Sequence, residues 1–165
     1  MINYKQAKNI LIKSKIKIKD EVVDASKSLN RINVLDIYCR VNYPAGTNAA
    51  FDGFAVNSKE TNKLNKKNPK NFKILKTISA GDNPKLNKIN KYEVVEVMTG
   101  ALMPKTFDTI IPIEKINFYP NYKNKKYIII NKKIKKNQHI RYVGSDYRKK
   151  DLIIKKGTII QPSHI

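Results

Sequence analysis

At 165 residues, 41% of them hydrophobic, the chain is long enough for one domain or two small ones, and for burying roughly 70% of the surface its unfolded form exposes. A formal charge of +21 does not exclude a folded core, because short apolar runs recur between polar turns. No run approaches the ~20 apolar residues that span a bilayer, and the single cysteine, Cys39, excludes an internal disulfide and a cysteine-based zinc site.

The opening residues, MINYKQAKNILIKSK, lack the unbroken apolar stretch and small-residue cleavage site of a secretory signal, so the expected compartment is the cytosol, where a lone thiol stays reduced. A pI near 10 invites a nucleic-acid partner. Against it, 30 of the 34 basic residues are Lys and four are Arg, beside 24 Ile and 19 Asn, a pattern of compositional drift. Arg is the usual reader of phosphates and base edges, and the lysines are scattered through every loop.

In chain order, Asn3 can cap a helix in which Tyr4, Ala7, Ile10 and Leu11 recur at helical spacing, ending in a Lys-rich turn near Ser14. Asp24 can cap a second, shorter helix over residues 25–29, closed by a left-handed Asn30. Residues 31–39 read as an extended strand ended by Pro44. A polar stretch over 57–71 leads to strand candidates at 72–79, 92–98, 109–113 and 127–134, separated by turns at 80–84 and 120–124. Short strands at such spacing predict a small barrel or sandwich. Residues 152–154 and 157–160 read as a tight hairpin, and Pro162 as the start of a further helix.

Three glycine-centred turns carry scarce acidic and hydroxyl groups: PAGTNAAFDGFAV at 44–56, MTGALMP at 98–104 and VGSDYRKKD at 143–151. In the first, Ala49, Ala50 and Gly53 let the backbone approach a ligand, and Asp52 can accept hydrogen bonds or meet a cation; an Asp-Gly pair before an apolar strand is also an ordinary turn. In the second, the Thr99 hydroxyl and Gly100 amide can face a phosphate or oxyanion beyond the strand. Glu114 leaves a buried-looking strand as a solvated end or a ligand, and Asp146 is either a site residue or an ion-paired turn residue.

Taken together, the order of these motifs resembles the N-terminal half of the molybdopterin molybdenumtransferase family, the MoeA and gephyrin E-domain group. The family signature, approximately Pro-x-Phe-Asp-Asn-Ser-Ala-Met-Asp-Gly-Tyr-Ala, is similar to residues 44–55. Its Ala-Gly turn resembles Ala80-Gly81, its Met-Thr-Gly-Ala-x-x-Pro resembles 98–104, its Asp-to-Glu apolar run resembles 108–114, its Gly-x-Asp turn resembles 144–146, and its Gly-Thr resembles 157–158. Gly46-Thr47 stands where the signature has Phe-Asp, and Ala49-Ala50-Phe51 where it has Ser-Ala-Met.

The resemblance implies an α+β protein: an elongated helical and linker domain over 1–41 plus 137–165, with a β-rich, barrel-like domain inserted over 42–136. It implies a transferase that inserts molybdenum from molybdate into adenylylated molybdopterin with release of AMP, using magnesium, as a homodimer. Carried over, Asp52 and Asp146 are the catalytic and metal-holding carboxylates, Asn48, Thr99 and Gly100 contact the substrate, and Glu114 supports one of them through a further hydrogen bond. The family's C-terminal nucleotide-fold domain has no counterpart in these residues, which implies that catalysis draws on a separate subunit or on further chain. Two alternatives remain open at this point: a non-catalytic dimerising or binding module of the same descent, and a basic nucleic-acid-binding protein.

Overall fold

The structure, a computed structural model, describes residues 1–14 and 18–165. Lys15, at the end of the Lys-rich turn expected near Ser14, lies outside the described residues. Among those residues the chain forms one α-helix, α1 (Tyr4–Lys13), and ten strands. The strands are β1 (Ile37–Tyr38), β2 (Asn48–Ala49), β3 (Gly53–Val56), β4 (Lys70–Ile78), β5 (Glu93–Val97), β6 (Thr109–Pro112), β7 (Asn117–Tyr119), β8 (Tyr127–Ile130), β9 (Ile140–Arg141) and β10 (Leu152–Ile154). The class is therefore mostly β, where the sequence reading expected α+β.

The chain divides into two compact units, Met1–Tyr38 with Leu152–Ile165, and Cys39–Asp151. In the first unit, α1 is capped as its sequence dictates. The Asn3 side chain accepts from the Gln6 amide at 2.9 Å while the Gln6 side chain accepts from the Asn3 amide at 3.0 Å, satisfying two orphan donors at once. The second helix shrinks to a 3₁₀ turn over Ala25–Lys27, and the Asp24 side chain makes no capping bond there. Asn30 does adopt the left-handed conformation, at φ 63°.

The long strand expected over 31–39 is reduced to β1, with side-chain bonds added to a few backbone pairs. Asn33 pairs through its backbone with Gly157 and Thr158 while its Oδ1 also accepts from the Thr158 amide at 2.8 Å, and Asp36 Oδ1 accepts from the Lys156 amide at 2.6 Å. The hairpin expected over 152–160 is not formed either. Both of its arms pair antiparallel with the earlier segment, Ile37 opposite Ile154 and Ile32 opposite Ile159, and its turn at Lys155 to Thr158 projects between them.

In the second unit, six strands form one sheet in the order β6-β3-β5-β4-β8-β7, antiparallel except for the β4–β5 pair. This sheet has to curl. β6 and β7 are its two edges, five inter-strand steps apart, or about 24 Å if flat; yet only residues 113–116 join them, a reach of at most about 18 Å. The packing agrees: the rings of Phe54 on β3 and Phe118 on β7 meet edge to face at 5.7 Å between centroids.

Alternation along the strands supplies both faces of the sheet. Phe54, Val56, Phe72, Val94, Ile111 and Ile128 pack into one buried cluster, while Ala55, Val95, Val97, Ile110 and Ile78 pack into another with Phe107 and Ala101. Burial on both faces goes with the adjacent apolar pairs Val94-Val95 on β5 and Ile110-Ile111 on β6, beside the buried polar Glu96 and Thr109. β8 is shorter than its candidate run of 127–134. After Ile130 the chain leaves the sheet, and the Ile134 amide donates to the buried hydroxyl of Thr61 at 2.9 Å. Residues 137–151, grouped with the helical part in the sequence reading, belong to this second unit, where β9 pairs with β2.

Candidate functional site

All three glycine-centred turns belong to the second unit, and backbone hydrogen bonds bring them together. Residues 47–50 form the seam. On one side the Met103 amide donates to Thr47 O at 3.0 Å, the Ala49 amide to Ala101 O at 2.9 Å, and the Gly100 amide to Ala49 O at 2.9 Å. On the other side Asn48 and Ala49 pair with Arg141 and Ile140, the Ala50 amide donates to His139 O at 3.0 Å, and the Val143 amide to the Thr47 hydroxyl at 3.3 Å. The Gly144 amide closes the set on Pro44 O at 3.0 Å. The spacing in sequence concealed this convergence of the three segments that turn chemistry singled out.

Asp52 sits at the entry to β3. Its Oδ1 accepts from both the amide and the hydroxyl of Thr99, each at 2.6 Å, and its own carbonyl accepts from the Ile113 amide at 3.1 Å. The next residue has to be glycine: a Cβ on Gly53 would lie 2.2 Å from the Ile111 carbonyl oxygen across the β3–β6 ladder. The hydroxyl bond and then the amide bond from Thr99 hold the Asp52 carboxyl below the usual aspartate range. At neutral pH it is thus an anion fixed through one oxygen. Among the described residues, Oδ2 has no protein partner, which leaves it for a cation or an external donor.

The same bonds change the expected role of the Thr99-Gly100 turn. The Thr99 amide and hydroxyl protons go to Asp52, and the Gly100 amide goes to Ala49 O. None of these donors is left to face an anion; Thr99 keeps only hydroxyl lone pairs.

Asp146 presents the opposite case. Both of its oxygens meet the guanidinium of Arg141, Oδ1 at 3.3 Å from Nε and Oδ2 in a shorter ion pair with Nη2, and Ser145 Oγ donates to Oδ1 at 3.1 Å. Its amide is bound to Tyr43 O at 3.0 Å. Hydrogen bonding to Arg141 lowers the Asp146 pKa, and the same bond raises that of Arg141. A metal at Asp146 would have to displace a bidentate guanidinium. Asn48 and Glu114 have side chains without hydrogen-bond partners among the described residues; Asn48 is half-buried on β2 and Glu114 is exposed on the 3₁₀ turn Ile113–Lys115. The supporting bond expected from Glu114 is therefore not made within the protein. No three His, Cys, Asp or Glu side chains converge among the described residues.

Residues that the sequence reading missed complete the corner. Arg141 lies over the Tyr43 ring at 5.7 Å, and His139 meets Phe51 edge to face at 4.9 Å. A signal for Arg141 was available, since an Arg in a chain that favours Lys so heavily marks a position needing a planar, two-pronged donor.

Comparison with known proteins decides the family, because the profile described as MoeA N-terminal region (domain I and II) matches residues 2–165. The chain belongs to the MoeA N-terminal family. Within that family, it is 28% identical over 144 residues to a molybdopterin molybdenumtransferase of Staphylococcus aureus, covering 87% of this chain and 33% of the relative. It is 27% identical over 142 residues to that of Haemophilus influenzae, covering 86% and 33%. The chain thus spans about a third of the length of these relatives. Among solved structures it is similar to the molybdopterin biosynthesis moeA protein of Pyrococcus horikoshii, at a TM-score of 0.84 with 24% identity over 99% of this chain and 42% of the other. A second structure of that protein gives 0.83 with 28% identity over 99% and 40%. The MoeA-like fold is thereby shown for both units. No helix among the described residues is long and apolar enough to cross a membrane.

Proposed function

We propose that the chain serves as the N-terminal part of a molybdopterin molybdenumtransferase, acting in the cytosol and as a homodimer. In this reading it takes part in inserting molybdenum from molybdate into adenylylated molybdopterin. The observation that carries the reading is the Asp52 carboxylate: ionised, fixed through Oδ1 by Thr99, and open at Oδ2. Magnesium is commonly held by one or two carboxylates together with substrate phosphates, so the lack of a three-carboxylate cluster among the described residues is compatible with it. Asp52, with Glu114 as second candidate, would hold the ion, which when bound neutralises phosphate charge on the adenylylated substrate. Thr99 orients the Asp52 carboxylate, and the unpartnered carboxamide of Asn48 is left to contact substrate. Asp146 acts in this reading as the clamp on Arg141 and not as a metal ligand.

The test is Asp52→Asn, which removes the charge and keeps the shape. Molybdenum insertion by a reconstituted system containing the protein should fall at least about tenfold and need more magnesium. An unchanged rate and an unchanged magnesium requirement would remove Asp52 from the mechanism. A second reading, a binding module without turnover, is favoured by the inward commitment of the Thr99 and Gly100 donors. It predicts self-association with no affinity for adenylylated molybdopterin.

A further inference from the structure

A cavity of about 150 Å³ opens beside the sheet edge β6, lined among others by Ile111, Lys115, Lys132, Ile134, Gln138 and His139. Its apolar wall is continuous with the sheet core, since Ile111 and Ile134 belong to the buried cluster around Phe54. Its polar lining residues are two lysines, a histidine and a glutamine, and no carboxylate residue lines it.

These polar groups are uncommitted. Among the described residues neither Lys115 nor Lys132 takes part in an ion pair, whereas Lys125 pairs with the buried Glu96. Among the described residues the side chains of Gln138 and His139 likewise have no hydrogen-bond partner, although their backbones are fixed: Gln138 O accepts from the Ile110 amide and His139 O from the Ala50 amide, both at 3.0 Å. The His139 ring is further held by Phe51. Whichever tautomer it adopts, the ring offers at least one N–H, the carboxamide offers two and each ammonium three. The residues that carry those donors come from two separate stretches, 115 and 132–139, and line one void with room for several waters.

We propose that this cavity is a binding site for a small tetrahedral oxyanion, either free inorganic anion or the phosphate of a phosphomonoester. Charge of one sign gathered beside an apolar wall, with no carboxylate among the lining residues, separates this site from the diffuse lysine surface. It is independent of the transferase reading.

The test is binding of inorganic phosphate to the whole protein at fixed ionic strength, followed through its 31P resonance and by amide shifts. Saturable binding with shifts confined to residues 110–116 and 131–139 is expected, and Lys115→Gln with Lys132→Gln should weaken it at least tenfold. The control is Lys66→Gln with Lys67→Gln, which changes the net charge equally and should leave affinity within twofold. Equal loss in both double variants, or shifts spread over all lysine-bearing loops, would overturn the site in favour of general electrostatics. Tighter binding of AMP than of phosphate, lost in the same variant, would support the site and identify a phosphomonoester as its ligand. Because the readout is anion binding and not turnover, absence of binding would remove the cavity and leave the transferase reading standing. Lys115→Arg should retain affinity, which guards against a loss caused by misfolding.

Discussion

The corners at Asp52 and Asp146 look alike in sequence, each an aspartate in a glycine-centred turn, and the structure gives them opposite states. Asp52 is bonded through one oxygen to a neutral threonine and keeps its second oxygen and its charge for something outside. Asp146 is bonded through both oxygens to a cation. A carboxylate whose partner is neutral remains an electrostatic site, while one paired with guanidinium becomes a structural clip. Their supports differ as well. Asp52 precedes the fully buried strand β3, and Asp146 sits in an exposed turn held by backbone bonds to Tyr43 and Pro44.

The strongest way to break this comparison is through the glycines. Gly53→Ala forces a methyl group against the Ile111 carbonyl, so β3 and β6 must part; overpacking of this kind costs about 3 kcal/mol. The urea midpoint followed by circular dichroism should fall accordingly, and insertion activity should be lost with it. Gly144→Ala meets mainly the flexible Arg148 side chain, and the strain comes from its φ of +68°. That change should cost only about 1 kcal/mol and leave activity within a few fold. Equal losses from the two substitutions would mean that the Asp146 turn is as rigidly built into the fold as the Asp52 corner.

The third prediction separates the two carboxylates by their partners. Thr99→Val deletes the hydroxyl bond to Asp52 and leaves the amide bond, and loss of such an orienting partner typically lowers metal affinity or activity by about tenfold. Arg141→Gln frees Asp146, and in this account it should leave insertion nearly unchanged. If Arg141→Gln proved the more damaging, Asp146 and Arg141 would belong to the reacting centre and Asp52 to the scaffold.

Which parts of this were legible in the sequence follows from which forces are local. The α1 boundaries were readable because Asn3 and Gln6 cap each other within three residues, and β4, β5 and β6 because each is a short stretch rich in β-branched residues between turn signals, which needs no partner to be recognised. β7 was not readable: Asn117-Phe118-Tyr119 has one inward residue, and its place depends on the curl that brings Phe118 to Phe54. The hairpin expected at 152–160 failed because the turn at Gly157 is local and real, while the arms obey a distant segment around Asn33 and Asp36. At the site, the residue types at Asp52, Thr99 and Asp146 were legible. Their hydrogen-bond partners, 47 residues away for Asp52, were not. Arginine was the overlooked clue: among the described residues Arg31 and Arg141, two of four arginines, stand in ion pairs, against Lys125 alone among the lysines.

The smallest effect is a titration, and it sharpens the comparison most directly. Both folded carboxyls lie below the usual aspartate value near 3.9, so each contributes stability that is present above that pH and is lost as the pH falls through the folded value. At neutral pH neither contribution changes, and a stability profile should be flat with respect to these two groups until the acid range. Carboxyl 13C shifts can follow them separately. Thr99→Val should raise the Asp52 midpoint toward the ordinary value and leave Asp146 where it was, whereas Arg141→Gln should raise Asp146 and leave Asp52 unmoved. Added magnesium should then lower the Asp52 midpoint in the unaltered protein and do nothing at Asp146 until Arg141 is removed, because only Asp52 has an oxygen to offer. A magnesium response at Asp146 with Arg141 in place would show that the guanidinium yields readily to a metal, and the distinction between an open corner and a clipped one would collapse.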